Sequence, residues 1–180
     1  FGGCSSISSN ISNQTVVADP IISVEPQATQ SICIGGTIPA ALSVNVTGGT
    51  GAVTYQWFAG TNQVSGATQS TFLPSSFNIP GTFLFTANIS ISGVGCDALV
   101  SQPAQVIVVD DPSVTQPLAA VYCQNASPIA PLQVNVSGGL GTNSYQWYFS
   151  TANTTSGGTA IAGANTSSYI PSVATVGTAY

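Results

Sequence analysis

Four cysteines and five carboxylates are the reactive inventory of this 180-residue sequence, which contains no Lys, Arg, His or Met. A Ser or Cys nucleophile needs a neighbouring base, and neither His nor Lys is present to act as one. Two carboxylates could in principle hydrolyse a glycoside, but Asp110 and Asp111 are adjacent and Asp97 has no carboxylate partner near it in sequence. These residues argue against an enzyme, and no cofactor is expected. Asp19, Asp110 and Asp111 could offer hard oxygen ligands to calcium, although they are few for a strong site. The competing reading is an Asp-Pro step, at Asp19-Pro20 and Asp111-Pro112, that ends one strand and turns the chain. Without His or paired C-x-x-C spacing, the cysteines do not suggest a zinc site.

The elements that must position these residues repeat along the chain. Cys33, Gly48-Gly49 and Tyr55-Gln56-Trp57 return as Cys123, Gly138-Gly139 and Tyr145-Gln146-Trp147, at a constant offset of 90 (123 − 33, 147 − 57). Gly3-Cys4 through Asp19-Pro20 returns as Gly95-Cys96 through Asp111-Pro112, at an offset of 92 (96 − 4). A fixed period signals an array of equivalent modules. Residues 1–19 read as the C-terminal strand of a preceding or neighbouring-chain module, and 20–111 as one complete module. Residues 112–180 read as a module lacking its last strands, because Gly177-Thr178-Ala179-Tyr180 matches Gly81-Thr82-Phe83-Leu84. Ends inside strands would leave backbone unpaired, so the expectation is a window on a longer array.

Composition excludes several partners. Nucleic acid and anionic lipid headgroups are held through Lys and Arg, which are missing here. No apolar run approaches the roughly 18 residues that span a bilayer, and a basic secretory signal is absent from this stretch. With 43% hydrophobic and 3% charged residues, the sequence should nevertheless fold. Apolar residues alternate with period two in Leu42, Val44, Val46, in Val53, Tyr55, Trp57, in Phe83 through Ile91, and in Ala104, Val106, Val108. Gly-, Pro- and Ser-rich turns separate them. About seven short strands in about 92 residues, with one Trp on a central strand, predict an all-β fold of tandem immunoglobulin-like β-sandwich modules arranged as a rod.

Within that frame Trp57, Trp147, Tyr55 and Tyr145 share inward strand positions and are assigned to the core. Phe58 and Tyr148 point the other way by alternation. With Phe149 and Tyr122 they are the candidates for contact with a ligand or neighbour, the plainer alternative being lone exposed aromatics that need no explanation. The cysteines fall into two types: Cys33 and Cys123 precede the Leu-x-Val-Asn-Val strand, and Cys4 and Cys96 lie in the turn before the last strand. A Cys33 to Cys96 disulfide is expected within the complete module, worth about 4 kcal/mol on the loop-entropy model. Cys4 and Cys123 would then have partners outside this stretch or in another chain. Oxidation implies an extracellular or cell-surface location. Asn-x-Ser/Thr occurs at eight positions, of which Asn45 and Asn135 lie on the outward face of equivalent strands.

Cys-x-Gly-Gly, Ala-Leu-Ser-Val-Asn-Val-Thr-Gly-Gly-Thr-Gly, Tyr-Gln-Trp-Phe and Gly-Val-Gly-Cys together resemble the immunoglobulin-like repeats of very large secreted surface adhesins and filament proteins of Bacteroidota. In the second copy, Ser-Gly-Gly-Thr-Ala-Ile-Ala-Gly-Ala-Asn-Thr-Ser-Ser-Tyr-Ile-Pro is a closer match still. The resemblance implies export by type IX secretion and a part in attachment or gliding, with ligand-binding domains elsewhere.

Three functions follow for comparison. The first is a non-catalytic structural repeat of an extracellular filament or giant adhesin stalk, whose partners are adjacent repeats or copies of itself. The second is a carbohydrate-binding module that meets surface glycans through Phe58, Tyr148 and Phe149. The third is a pilus-like subunit in which the strand Ser8 to Val17 fills a neighbour's last module. Without Lys or Arg the stretch offers trypsin-like proteases no cleavage site, and its small net charge of −5 weakly opposes lateral packing of rods.

Overall fold

Period-two alternation becomes strand throughout, and among the described residues there is no helix. The computed structural model describes residues 8–93, 98–154 and 156–173. Ten strands belong to the first copy: β1 (Ile21–Val24), β2 (Thr29–Cys33), β3 (Leu42–Ser43), β4 (Asn45–Thr47), β5 (Val53–Ala59), β6 (Asn62–Gln63), β7 (Thr71–Phe72), β8 (Gly81–Ile91), β9 (Leu99–Val100) and β10 (Ala104–Val109). Six shorter ones follow: β11 (Ser113–Thr115), β12 (Leu132–Gln133), β13 (Asn135–Ser137), β14 (Tyr148–Phe149), β15 (Thr159–Ala160) and β16 (Ser168–Tyr169). The main sheet runs β2-β10-β8-β5-β6 with β9 on β8, and β1-β4 and β3-β7 form two-stranded pairs. Main-chain packing divides the chain into two units. The first comprises the described residues of Phe1–Gln30, Ile38–Ser75 and Thr82–Val106, and the second those of Ser31–Thr37, Ser76–Gly81 and Ile107–Tyr180.

The first unit holds an all-β core. β5 and β8 pair antiparallel over seven residues, from Val53 opposite Ile91 to Ala59 opposite Phe85. Along β8 the pleat buries Phe85, Ala87, Ile89 and Ile91 and leaves Asn88 and Ser90 outside. Ala104 and Val106 of β10 are fully buried beside them. Each large apolar side chain so buried contributes roughly 1.5–3 kcal/mol. Trp57 has no exposed surface, and its ring meets Phe72 of β7 at 5.7 Å, with Phe72 meeting Phe85 at the same distance. One aromatic ladder thus ties the large sheet to the β3-β7 pair, in which Leu42 lies opposite Phe72.

The second unit contains the second copy, and its local bonds reproduce those of the first. Trp147 meets Tyr169 at 5.7 Å and 32°, against 5.7 Å and 30° for Trp57 and Phe72. The Val134 amide donates to the Ser167 carbonyl at 2.9 Å, as the Val44 amide does to Ser70. The offset here is 97 (167 − 70, 169 − 72), because the second copy carries seven extra residues in its 150–158 loop. One correspondence fails. The residues equivalent to most of β5, 143–147, are in no strand among the described residues, although the Trp147 amide donates to the Ala164 carbonyl and its carbonyl accepts from the Ile161 amide, both at 2.9 Å. Trp147 is accordingly half-buried where Trp57 is sealed.

Removing the sealed ring should therefore cost more than removing its twin. Trp57→Ala is expected to destabilise its unit by about 3–5 kcal/mol, and Trp147→Ala by clearly less, in denaturant unfolding followed by circular dichroism. Equal losses at the two positions would contradict this account of what buries them.

Candidate binding surfaces

An open concavity in the second copy is built from would-be core residues. Val114 of β11, Val134, Val136 of β13, Tyr145 and Trp147 line an open groove of about 430 Å³, edged by Thr142, Asn143 and Ser144. The equivalents of these five in the first copy are Ile22, Val44, Val46, Tyr55 and Trp57. There Val44 and Trp57 are buried, Trp57 against Phe72 of β7. The groove is thus an apolar sheet face beside a strand edge whose backbone groups at 143–146 have no strand partner among the described residues. Such a face and edge together accept an extended, alternately apolar segment, with main-chain bonds giving affinity and side chains giving register.

The Gln between each Tyr and Trp was not singled out in the sequence, and it braces this strand. Gln146 Nε2 donates to the carbonyls of Trp147 and Ile161, both at 2.9 Å, as Gln56 Nε2 does to Trp57 and Val64 at 2.9 and 2.8 Å. The Trp57 indole N–H donates to the Gln69 carbonyl and that of Trp147 to Thr166, each at 2.9 Å. The recurrence of Tyr-Gln-Trp was the available signal for these braces.

The aromatics assigned to an outer surface separate on inspection. Tyr148 and Phe149 are 58% and 47% exposed, whereas Phe58 and Tyr122 are half-buried. Tyr148 and Phe149 are consecutive on β14 and point to opposite faces, so they do not form one stacking platform. The Tyr122 hydroxyl donates to the Ala130 carbonyl at 3.3 Å. Tyr55 and Tyr145, assigned to the core, are half-buried.

Cys33 stands half-buried at the end of β2 and Cys123 is exposed, and neither is in a disulfide among the described residues. Cys4, Cys96 and Asp97 lie outside the described residues. No group of three or more Cys, Asp and Glu converges among the described residues. Asp19, Asp110 and Asp111 there serve through their backbone: the Gly139 amide donates to the Asp110 carbonyl at 2.7 Å, and the carbonyls of Asp19 and Asp111 abut Gly48 and Gly138. Glu25 accepts the Gln102 amide at 2.9 Å. No helix among the described residues is long and apolar enough to cross a membrane.

No protein-family model matches the sequence, and no curated protein matches it. Solved structures align with it at low scores. Fibronectin(III)-like modules of Clostridium thermocellum CbhA align over 84% of this chain and 78% of theirs, at 16% identity and a TM-score of 0.41. A three-immunoglobulin-domain segment of titin aligns over 74% of this chain at 9% identity and a TM-score of 0.40, this chain spanning 47% of it. SGBP-B of the Bacteroides ovatus mixed-linkage glucan utilization locus, solved with a mixed-linkage heptasaccharide, aligns over 91% of this chain and 45% of its own, at 13% identity and a TM-score of 0.36. At these scores the functional reading rests on the chain's own geometry.

The groove has a direct observable. In hydrogen exchange read by mass spectrometry, the segment 143–146 should exchange about a hundredfold faster than its twin 53–56, the span expected between an uncovered edge and a laddered core strand. Matching protection would show that the edge is paired.

Proposed function

We propose that this chain is a non-catalytic structural repeat of an extracellular filament or surface-adhesin stalk. One observation carries the reading. Two stretches about 90 residues apart build the same local frame, with the same Trp ring contact, indole bond and Gln brace. Side chains that recur for such reasons keep copies alike in fold, which a serial scaffold needs. The surface suits that role, being rich in neutral polar groups, free of cations and without a trypsin site.

The serial partner of each copy is the next, arranged as a rod, and surface or secreted material is where the chain belongs. A Cys33 to Cys96 disulfide fits that setting, since such bonds persist outside the cytoplasm. The groove favours a second reading, a strand-exchanged subunit. Residues 8–17 are outside any strand, with Ile11 and Val16 92% and 96% exposed, so an unpaired segment and an unfilled groove occur in one chain. Their match is imperfect: by the offset of 92, Gln14 takes the place of buried Val106. The serial reading is therefore preferred. Glycan binding draws less support, because Tyr148 and Phe149 face apart.

Antibodies to residues 20–111 should decorate intact, unpermeabilised cells along extended structures, and deletion of the repeat should reduce attachment to a surface. Non-reducing peptide mapping of the same material should recover Cys33 joined to Cys96. Labelling confined to permeabilised cells would overturn the reading.

A further inference from the structure

The chain enters each copy through the same contact. Gly49 N–H donates to the Ala18 carbonyl at 2.7 Å, and Gly139 N–H donates to the Asp110 carbonyl at 2.7 Å. The preceding glycines, Gly48 and Gly138, sit at φ of +82° and +73°. A Cβ on Gly48 would collide with the Asp19 carbonyl oxygen, and one on Gly138 would stand 2.5 Å from that of Asp111. Both requirements, a left-handed backbone and no room for a side chain, select glycine. Pro20 and Pro112 follow at once and hold the residue before them extended, which presents its carbonyl to the turn.

The two sides of this contact come from different phases of the repeat. The tail residues step by 92 (110 − 18, 111 − 19) and the turn residues by 90 (138 − 48, 139 − 49). With the repeat divided at Pro20 and Pro112, each contact joins the end of one copy to the Gly-Gly turn of the next. Recognition is through main chain alone on both sides, so Ala18 in one tail and Asp110 in the other are held alike. An aspartate carboxylate is not needed for it.

We propose that the Gly-Gly turn of every copy is a docking cradle whose partner is the x-Asp-Pro tail of the copy before it, a clamp that holds the entering strand instead of leaving a loose linker. The contact is seen within each unit, and only its mechanical value rests on the serial reading above. Any tail that ends in an extended x-Asp-Pro should seat in it, whatever residue stands at x.

The test uses the full 180-residue chain and amide exchange by NMR. In the unaltered protein the Gly49 and Gly139 amides should be protected. Gly138→Ala should speed exchange at Gly139 at least about tenfold and lower the heteronuclear NOE at Asp110, Asp111 and Ser113, as a local opening does. Gly163→Ala is the control, because Gly163 has φ of +75° but nothing within 4 Å of a Cβ. It carries the same backbone strain and should leave Gly139 unchanged. Should Gly138→Ala fail to fold, Gly48→Ala read at Gly49 repeats the test in the other unit. Unprotected Gly49 and Gly139 amides in the parent chain, or equal effects of Gly138→Ala and Gly163→Ala, would overturn the clamp. A chain shown to lie inside the cell would sink the stalk reading and leave this result untouched.

Discussion

A tryptophan indole anchors each copy. It is one large apolar ring whose N–H must find an acceptor, because burial otherwise strands a donor. Gln69 and Thr166 supply that acceptor from their carbonyls, each at the same distance, and Phe72 or Tyr169 supplies the facing ring. The main chain is thereby tied to the ring at two points, through the strand that bears it and the segment that accepts from it. The core closes on this ring in the first copy, and in the second the groove forms around it.

A chain without cations must settle its buried polar groups by other means. It uses amides and hydroxyls. Gln30 spans Ala40 with both side-chain atoms, giving to the carbonyl and taking from the amide at 2.8 and 3.0 Å. Ser101 accepts the Ala87 amide at 2.9 Å and passes its own hydrogen to Gln102. No buried side-chain polar atom among the described residues lacks a partner. Neutral braces of this kind respond little to salt, since ionic screening acts on charges. The fold is therefore suited to media of varied ionic strength.

Much of this was legible beforehand, for identifiable reasons. Alternation in β8 and β10 gave strands and inward faces directly, because the pleat has a period of two whatever the surroundings. The recurrence of Gly48-Gly49 and Tyr-Gln-Trp marked the turn and the anchor. Burial of Trp147 was not legible. Its neighbours in sequence match those of Trp57, but burial depends on segments far along the chain that local sequence does not report. Phe58 was read as outward by alternation and lies half-buried, since alternation reports direction and not what a neighbouring segment covers. The two Asp-Pro steps were legible as strand ends and turns, but the contacts of the neighbouring carbonyls with the Gly-Gly turns were not.

The central claim is that these copies are links of a long serial scaffold. Denaturing electrophoresis of native surface material, boiled with and without reductant and probed for residues 20–111, tests it most directly. A species of far higher mass than the 18.0 kDa of this sequence, unchanged by reductant, is the result the account predicts. A band near that mass after boiling would contradict it, and would make the chain a separate subunit joined to its neighbours by exchanged strands.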